Sequence, residues 1–160
     1  MKNAAYALLH DVVLAVHNVR NPNREEWDTY LEMMSSLREA FGGDCARFRQ
    51  LIFTDGGAPN ATQRKAVADI ARGLKNIDKI KVVLVSRSVV ARGIVTAFRW
   101  LGFPLRAFAP DELDEAFAFL AVSRAEAVDL CDAALELCAT VDGPVRSASR
   151  VEAYRIKLSA

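Results

Sequence analysis

"IKVVLVS", residues 80–86, decides the fold. Val82, Val83, Leu84 and Val85 follow one another with no polar residue between them. A strand with one wet face alternates apolar and polar side chains, so an unbroken run reads as a strand covered on both faces, as in a parallel sheet. Parallel neighbours need crossover connections, usually helices. Both flanks supply them. Upstream, "FRQLIFTD" (48–55) is a second apolar strand, followed by a glycine turn and a helix starting near Asn60 with Val67, Ile70, Ala71 and Leu74 on one stripe. Downstream, Ser88 can cap a helix whose stripe is Val90, Ile94, Ala97, Phe98 and Leu101, with Gly102 as its stop. "PLRAFA" (104–109) is a short strand, and Pro110-Asp111 opens a helix with Leu113, Phe117 and Leu120 inward.

The outer segments extend the pattern. Residues 4–9 and 11–18 are apolar runs joined at His10-Asp11, which reads as two closely connected strands. Asn23 and Glu26 have capping-box spacing, and Trp27, Tyr30, Leu31, Met34, Leu37 and Phe41 recur at helical spacing until Gly42-Gly43. Ser123 and Glu126 repeat the capping box before a helix over 124–141. Residues 144–160 alternate weakly, and an extra strand, a docked tail and a disordered end all stay open. The order is β-β-α-β-α-β-α-β-α-α. It predicts a single α/β domain over 1–143: a mostly parallel sheet with one antiparallel strand, helices on both faces and an extra C-terminal helix.

Composition narrows the function. The chain has 160 residues, 52% of them hydrophobic, enough to supply a packed core. Lys plus Arg number 21 against 20 Asp plus Glu, a net charge of +1, which offers no basic face to nucleic acid. No apolar run approaches the roughly 20 residues that span a bilayer. The first residues lack the pattern of a secretion signal, so the chain reads as cytoplasmic. Cys45, Cys131 and Cys138 follow no metal-ligand spacing; Cys131 and Cys138 share a helix face and read as small core residues.

In open α/β sheets, ligands gather outside the carboxyl ends of the strands. Those ends offer His17, Asn18 and Arg20; Thr54, Asp55, Gly56, Gly57 and Asn60; and Ser86, Arg87 and Ser88 with Arg92 one turn on. Two glycines ahead of a helix N-terminus could cradle an anion if both adopt positive φ. The spacing, however, is neither that of a P-loop nor that of a dinucleotide fingerprint, so the turn reads first as punctuation with Asn60 and Gln63 as a capping box. Asp55 also argues against an anion, unless its carboxylate turns away onto backbone N–H groups. No nucleophile–base pair, paired acids or metal motif is visible, so no catalytic residue, metal or cofactor is expected. The apolar stripe of the 124–141 helix must be buried on its own domain or on a second subunit, and a homodimer through it is an expectation.

The element order, together with "LIFTDGGAPNATQ" (51–63), resembles the SpoIIAA-like or STAS fold (sulfate transporter and anti-sigma factor antagonist) and the uncharacterised bacterial STAS/SEC14-type proteins. The resemblance covers roughly residues 4–122. It implies a non-enzymatic regulatory module that recognises a protein partner, such as an anti-sigma-type regulator, at the third strand–helix junction. In the anti-sigma antagonists a phosphorylated Ser follows the Asp at this junction; here Gly56 and Gly57 follow Asp55. A small anionic or lipid-like ligand at the same edge is the alternative, and an enzyme of unknown reaction the second.

Overall fold

The computed structural model describes residues 1–56, 60–89, 95 and 104–160. Five strands form one sheet: β1 (Ala4–Leu9), β2 (Val12–His17), β3 (Arg49–Thr54), β4 (Lys81–Val85) and β5 (Leu105–Phe108). They lie side by side in sequence order. β1 is antiparallel to β2, and the remaining pairs are parallel. This is the mixed sheet that the resemblance to the SpoIIAA-like fold implies. His10 and Asp11 both take positive φ, 49° and 60°, and make the tight turn between β1 and β2. Neither is a glycine; side-chain bonds hold the turn. His10 Nε2 meets Asp129 at 2.8 Å, Arg47 pairs with Asp11, and Arg49 donates to the His10 carbonyl at 2.5 Å.

The helices are α1 (Arg24–Ala40), α2 (Ala61–Ala71), α3 (Leu113–Leu120), α4 (Arg124–Thr140) and α5 (Val151–Ser159). The three capping boxes read from spacing all form: Asn23 with Glu26, Asn60 with Gln63, and Ser123 with Glu126. Glu112 rather than Asp111 stands at the start of α3. The stripe carrying Val90, Ile94, Ala97, Phe98 and Leu101, and Trp100 with it, lies outside the described residues.

The sequential strand order decides which face each helix covers. Successive right-handed crossovers that step the same way across a sheet place their helices on one face. α1 and α2 accordingly pack over Val13, Tyr6 and Val82, with Trp27, Tyr30, Leu37 and Phe48 at the centre. The opposite face carries Leu14, Val16, Leu51, Phe53, Val83 and Val85. Among the described residues it is closed by α3, α4 and α5, which follow the last strand. With both faces covered, Val12 to Val16 are all buried.

Residues 144–160 are a docked helical tail. A 3-10 turn at Arg146–Ala148 leads into α5, and Val145, Ala148 and Val151 enter the main core. Tyr154 stacks on Phe117 with ring centroids 5.3 Å apart. The α4 stripe is buried within the same chain: Ala127, Leu130, Cys131 and Ala134 lie in the core, with Leu137 and Cys138 against it. Of the two ways the stripe could be buried, its own domain supplies this one.

Candidate functional site

β2, β3, β4 and β5 run parallel, so the residues after their last positions share one edge. His17, Arg20, Thr54, Asp55, Gly56, Asn60, Ser86, Arg87 and Ser88 therefore come together there. Gly57 and Arg92 lie outside the described residues. His17 and Thr54 are direct partners across β2 and β3.

Most polar groups at this edge hold the loops in place. Both oxygens of Asp55 accept backbone N–H groups from the tail, Arg146 at 2.5 Å and Ser147 at 2.6 Å. The carboxylate has turned away from the junction, the one arrangement under which an acid there does not oppose an anion. Thr54 is buried, and its hydroxyl donates to the Gly56 carbonyl and accepts from the Gly56 N–H at 3.3 Å. Asn18 is buried too: its amide donates to the Asp142 carbonyl at 3.0 Å, and its oxygen accepts from the Arg20 N–H at 2.7 Å. The Ser86 hydroxyl accepts from the Ser88 N–H at 3.2 Å.

Gly56 corrects the expected cradle. Positive φ occurs at Gly42, Gly43, Gly73 and Gly143 among the described glycines, not at Gly56. What Gly56 supplies is room: a Cβ there would sit 3.0 Å from the Val19 carbonyl oxygen and 3.3 Å from its Cα. The β3–α2 loop crosses the β2–α1 loop at that point, and only glycine passes without displacing it. The α2 N-terminus is also closed. Asn60 accepts from the Gln63 N–H at 2.9 Å, and Gln63 accepts from the Asn60 N–H at 2.8 Å. Two donors that an anion would need are thus taken.

His17 faces α1 and meets Tyr6 edge-on, ring centroids 5.8 Å apart. Burial lowers its pKa from 6.5 to about 4, partly offset by the nearby Glu26 carboxylate. At neutral pH it is an uncharged buried imidazole. The thiols are equally quiet: burial and Asp132 push Cys131 up to about 12, and burial and Asp55 push Cys138 up to about 11. Among the described residues no group of His, Cys, Asp and Glu could hold a metal ion.

The His17 shift has a measurable sign. As pH falls from 6.5 towards about 4, the unfolded chain takes up a proton that folded His17 refuses, so His17 lowers stability across that window. Above it His17 contributes no slope. Urea midpoints at about pH 7 and about pH 5 are expected to differ more for the natural chain than for His17→Phe. An equal difference in both would contradict the buried neutral state.

Spacing alone did not single out Val19 and Val89. They are 68% and 73% exposed and flank the junction, one after β2 and one after β4. Arg20 and Arg87 are exposed beside them. The available signal was a valine inside a polar loop, "HNVRN" (17–21).

No protein-family model matches the chain, and no curated protein matches it. Among solved structures it is similar to that of an uncharacterized protein from the DUF3478 family with a SpoIIAA-like fold, from Shewanella loihica PV-4. The identity is 16% and the TM-score 0.47, over 76% of this chain and 96% of that one. Among the described residues no helix is long and apolar enough to cross a membrane.

Proposed function

We propose that this chain is a non-enzymatic binding module that recognises a protein partner at the carboxyl edge of its sheet, around the β3–α2 junction. The observation that carries the reading is the pair of exposed valines, Val19 and Val89, with Arg20 and Arg87 beside them. Single exposed apolar residues are ordinary. Here two stand on the one edge whose Asp, Thr and Asn side chains are bonded inward, and the arginine next to each in the chain adds a basic rim. Interfaces are built in that way, and the rim favours a partner with acidic residues around an apolar contact. An anti-sigma-type regulator is the partner class that the STAS resemblance suggests. The small-anion alternative is weaker, because Asn60 and Gln63 occupy two donors of α2.

The test is affinity capture from the native host with three baits: the natural chain, Val19→Glu/Val89→Glu, and Leu8→Glu. Leu8 is 47% exposed on β1, away from this edge. A partner retained by the natural chain and by Leu8→Glu, and reduced at least about tenfold by the double variant, is the expected result. Equal capture by all three baits would refute the placement.

A further inference from the structure

The segment after α4 crosses the carboxyl edge before it enters α5. β1 is antiparallel to β2, so its first residues lie at that same end. There the Asp142 N–H donates to the Lys2 carbonyl at 2.8 Å, and the Asp142 carbonyl accepts from the Asn18 amide, after β2, at 3.0 Å. Arg146 and Ser147 then donate to Asp55, after β3, at 2.5 Å and 2.6 Å. Residues 142–147 are thus fastened across one end of three neighbouring strands. Val145, Ser147 and Ala148 are buried beneath, while Arg146 and Arg150 are exposed. This strap brings positive charge to the edge. Arg20, Arg87, Arg146 and Arg150 are all exposed, and none pairs with a carboxylate among the described residues; the Arg20 guanidinium meets the Met1 sulfur. The acids of the segment are engaged elsewhere: Asp142 accepts from the Lys2 N–H at 2.6 Å, and Glu152 acts on Arg155. A net charge of +1 for the whole chain conceals this local excess.

We propose that the strap is part of the partner-binding edge, and that Arg146 and Arg150, with Arg20 and Arg87, receive an acidic segment of the partner. This rests on the reading of the edge as a protein-binding surface and adds the chemistry of the segment it takes. Guanidinium groups without an internal partner offer forked donors that match carboxylates. Charges of this kind steer encounter and fix register, while apolar side chains supply the contact they surround. The exposed Val19 and Val89 on the same edge call for apolar side chains in the segment, which a chain of phosphates does not carry. Asp55 is a positioning residue in this scheme: it holds the Arg146 backbone at the junction and leaves the side chain outside.

Titration with a short synthetic peptide of glutamate and leucine, followed by amide NMR shifts, tests the proposal; a peptide of lysine and leucine is the control. The natural chain is expected to bind the acidic peptide alone, with shifts in residues 17–21, 86–89 and 142–150, and more weakly as salt screens the charges. Arg146→Gln/Arg150→Gln removes the charge and keeps the backbone donors to Asp55. Its affinity should fall at least about threefold. Lys75→Gln/Lys79→Gln removes the same charge at the opposite end of the sheet, where the Lys75 carbonyl accepts from the Cys45 N–H ahead of β3, and should bind as the natural chain does. Shifts at 17–21 and 86–89 alone, with the arginine variant binding as the natural chain does, would overturn the role of the strap and leave the protein-binding edge standing. Equal loss in both double variants would reduce the effect to net charge and overturn it too. If the acidic peptide shifts nothing, the acidic segment is refuted, while the edge itself still stands or falls with the three-bait capture.

Discussion

A chain ending at Gly143 is expected not to fold cooperatively. Residues 144–160 complete the core face that β2, β3 and β4 present to α3 and α4. Val151 is fully buried, and Val145 and Ala148 are nearly so. Burying a valine side chain contributes roughly 1.5–3 kcal/mol, so two valines, Ala148 and the Tyr154 stack on Phe117 sum to about 5 kcal/mol or more. That is comparable to the whole stability of many domains, roughly 5–15 kcal/mol. Truncation would also leave Asp55 without the Arg146 and Ser147 N–H groups it binds. The surface links between the tail and the body, Lys157 with Asp114 and Arg155 with Asp132, would go too, but exposed pairs of this kind add little. Urea unfolding followed by circular dichroism is the check. The full chain should show one sharp transition and the shortened chain a broad or absent one. A shortened chain unfolding cooperatively at the same midpoint would make the tail an appendage.

Asp55→Ala carries the second large effect. The side chain follows directly after β3 and reaches a turn 91 and 92 residues further along the chain. Hydrogen bonds to a charged group contribute about 1.5–3 kcal/mol each, and the alanine variant loses both while orphaning two N–H groups. Because the Arg146 bond is exposed, a destabilisation at the low end of the sum, about 3 kcal/mol, is expected, with no change in the denaturant slope. Asp55→Asn keeps one acceptor oxygen and should fall between the two. A loss below about 0.5 kcal/mol for the alanine variant would show that water replaces the carboxylate without cost.

What was legible in the sequence is what local chemistry dictates. The unbroken apolar run at 82–85 marked a strand of a parallel sheet, and β4 is one, with Val83 and Val85 buried and Val82 and Leu84 partly buried. Capping boxes depend on residues three apart, so Asn23, Asn60 and Ser123 could be read directly, and each forms. Contacts through the backbone were not legible. The partner of Asp55 is a pair of main-chain N–H groups, and no side chain at 146 or 147 advertises them. Gly56 could be recognised as necessary, but its reason is the passage of Val19 and not the sign of φ. The composition of the tail left its three readings open, the docked tail among them. Tyr154, Ile156 and Leu158 alternate with Arg155 and Lys157, which mimics a strand, while the contacts that matter come from Val151, Tyr154 and Leu158 at helical spacing. The face each helix covers also had to wait, because it follows from strand order, which a sequence does not state.

At the candidate site the residues gathered on one edge as the parallel strands require. Their roles separated only in the structure: Asp55, Thr54 and Asn18 brace the loops, His17 turns beneath α1, and the exposed valines and arginines face outward. The role proposed for this edge is to meet a protein. Amide hydrogen exchange of the chain alone and with its captured partner tests it most directly. New protection is expected in residues 17–21, 53–63 and 86–89, with α4 and α5 unchanged. Protection confined to the helices, with the carboxyl edge exchanging as in the free chain, would contradict it.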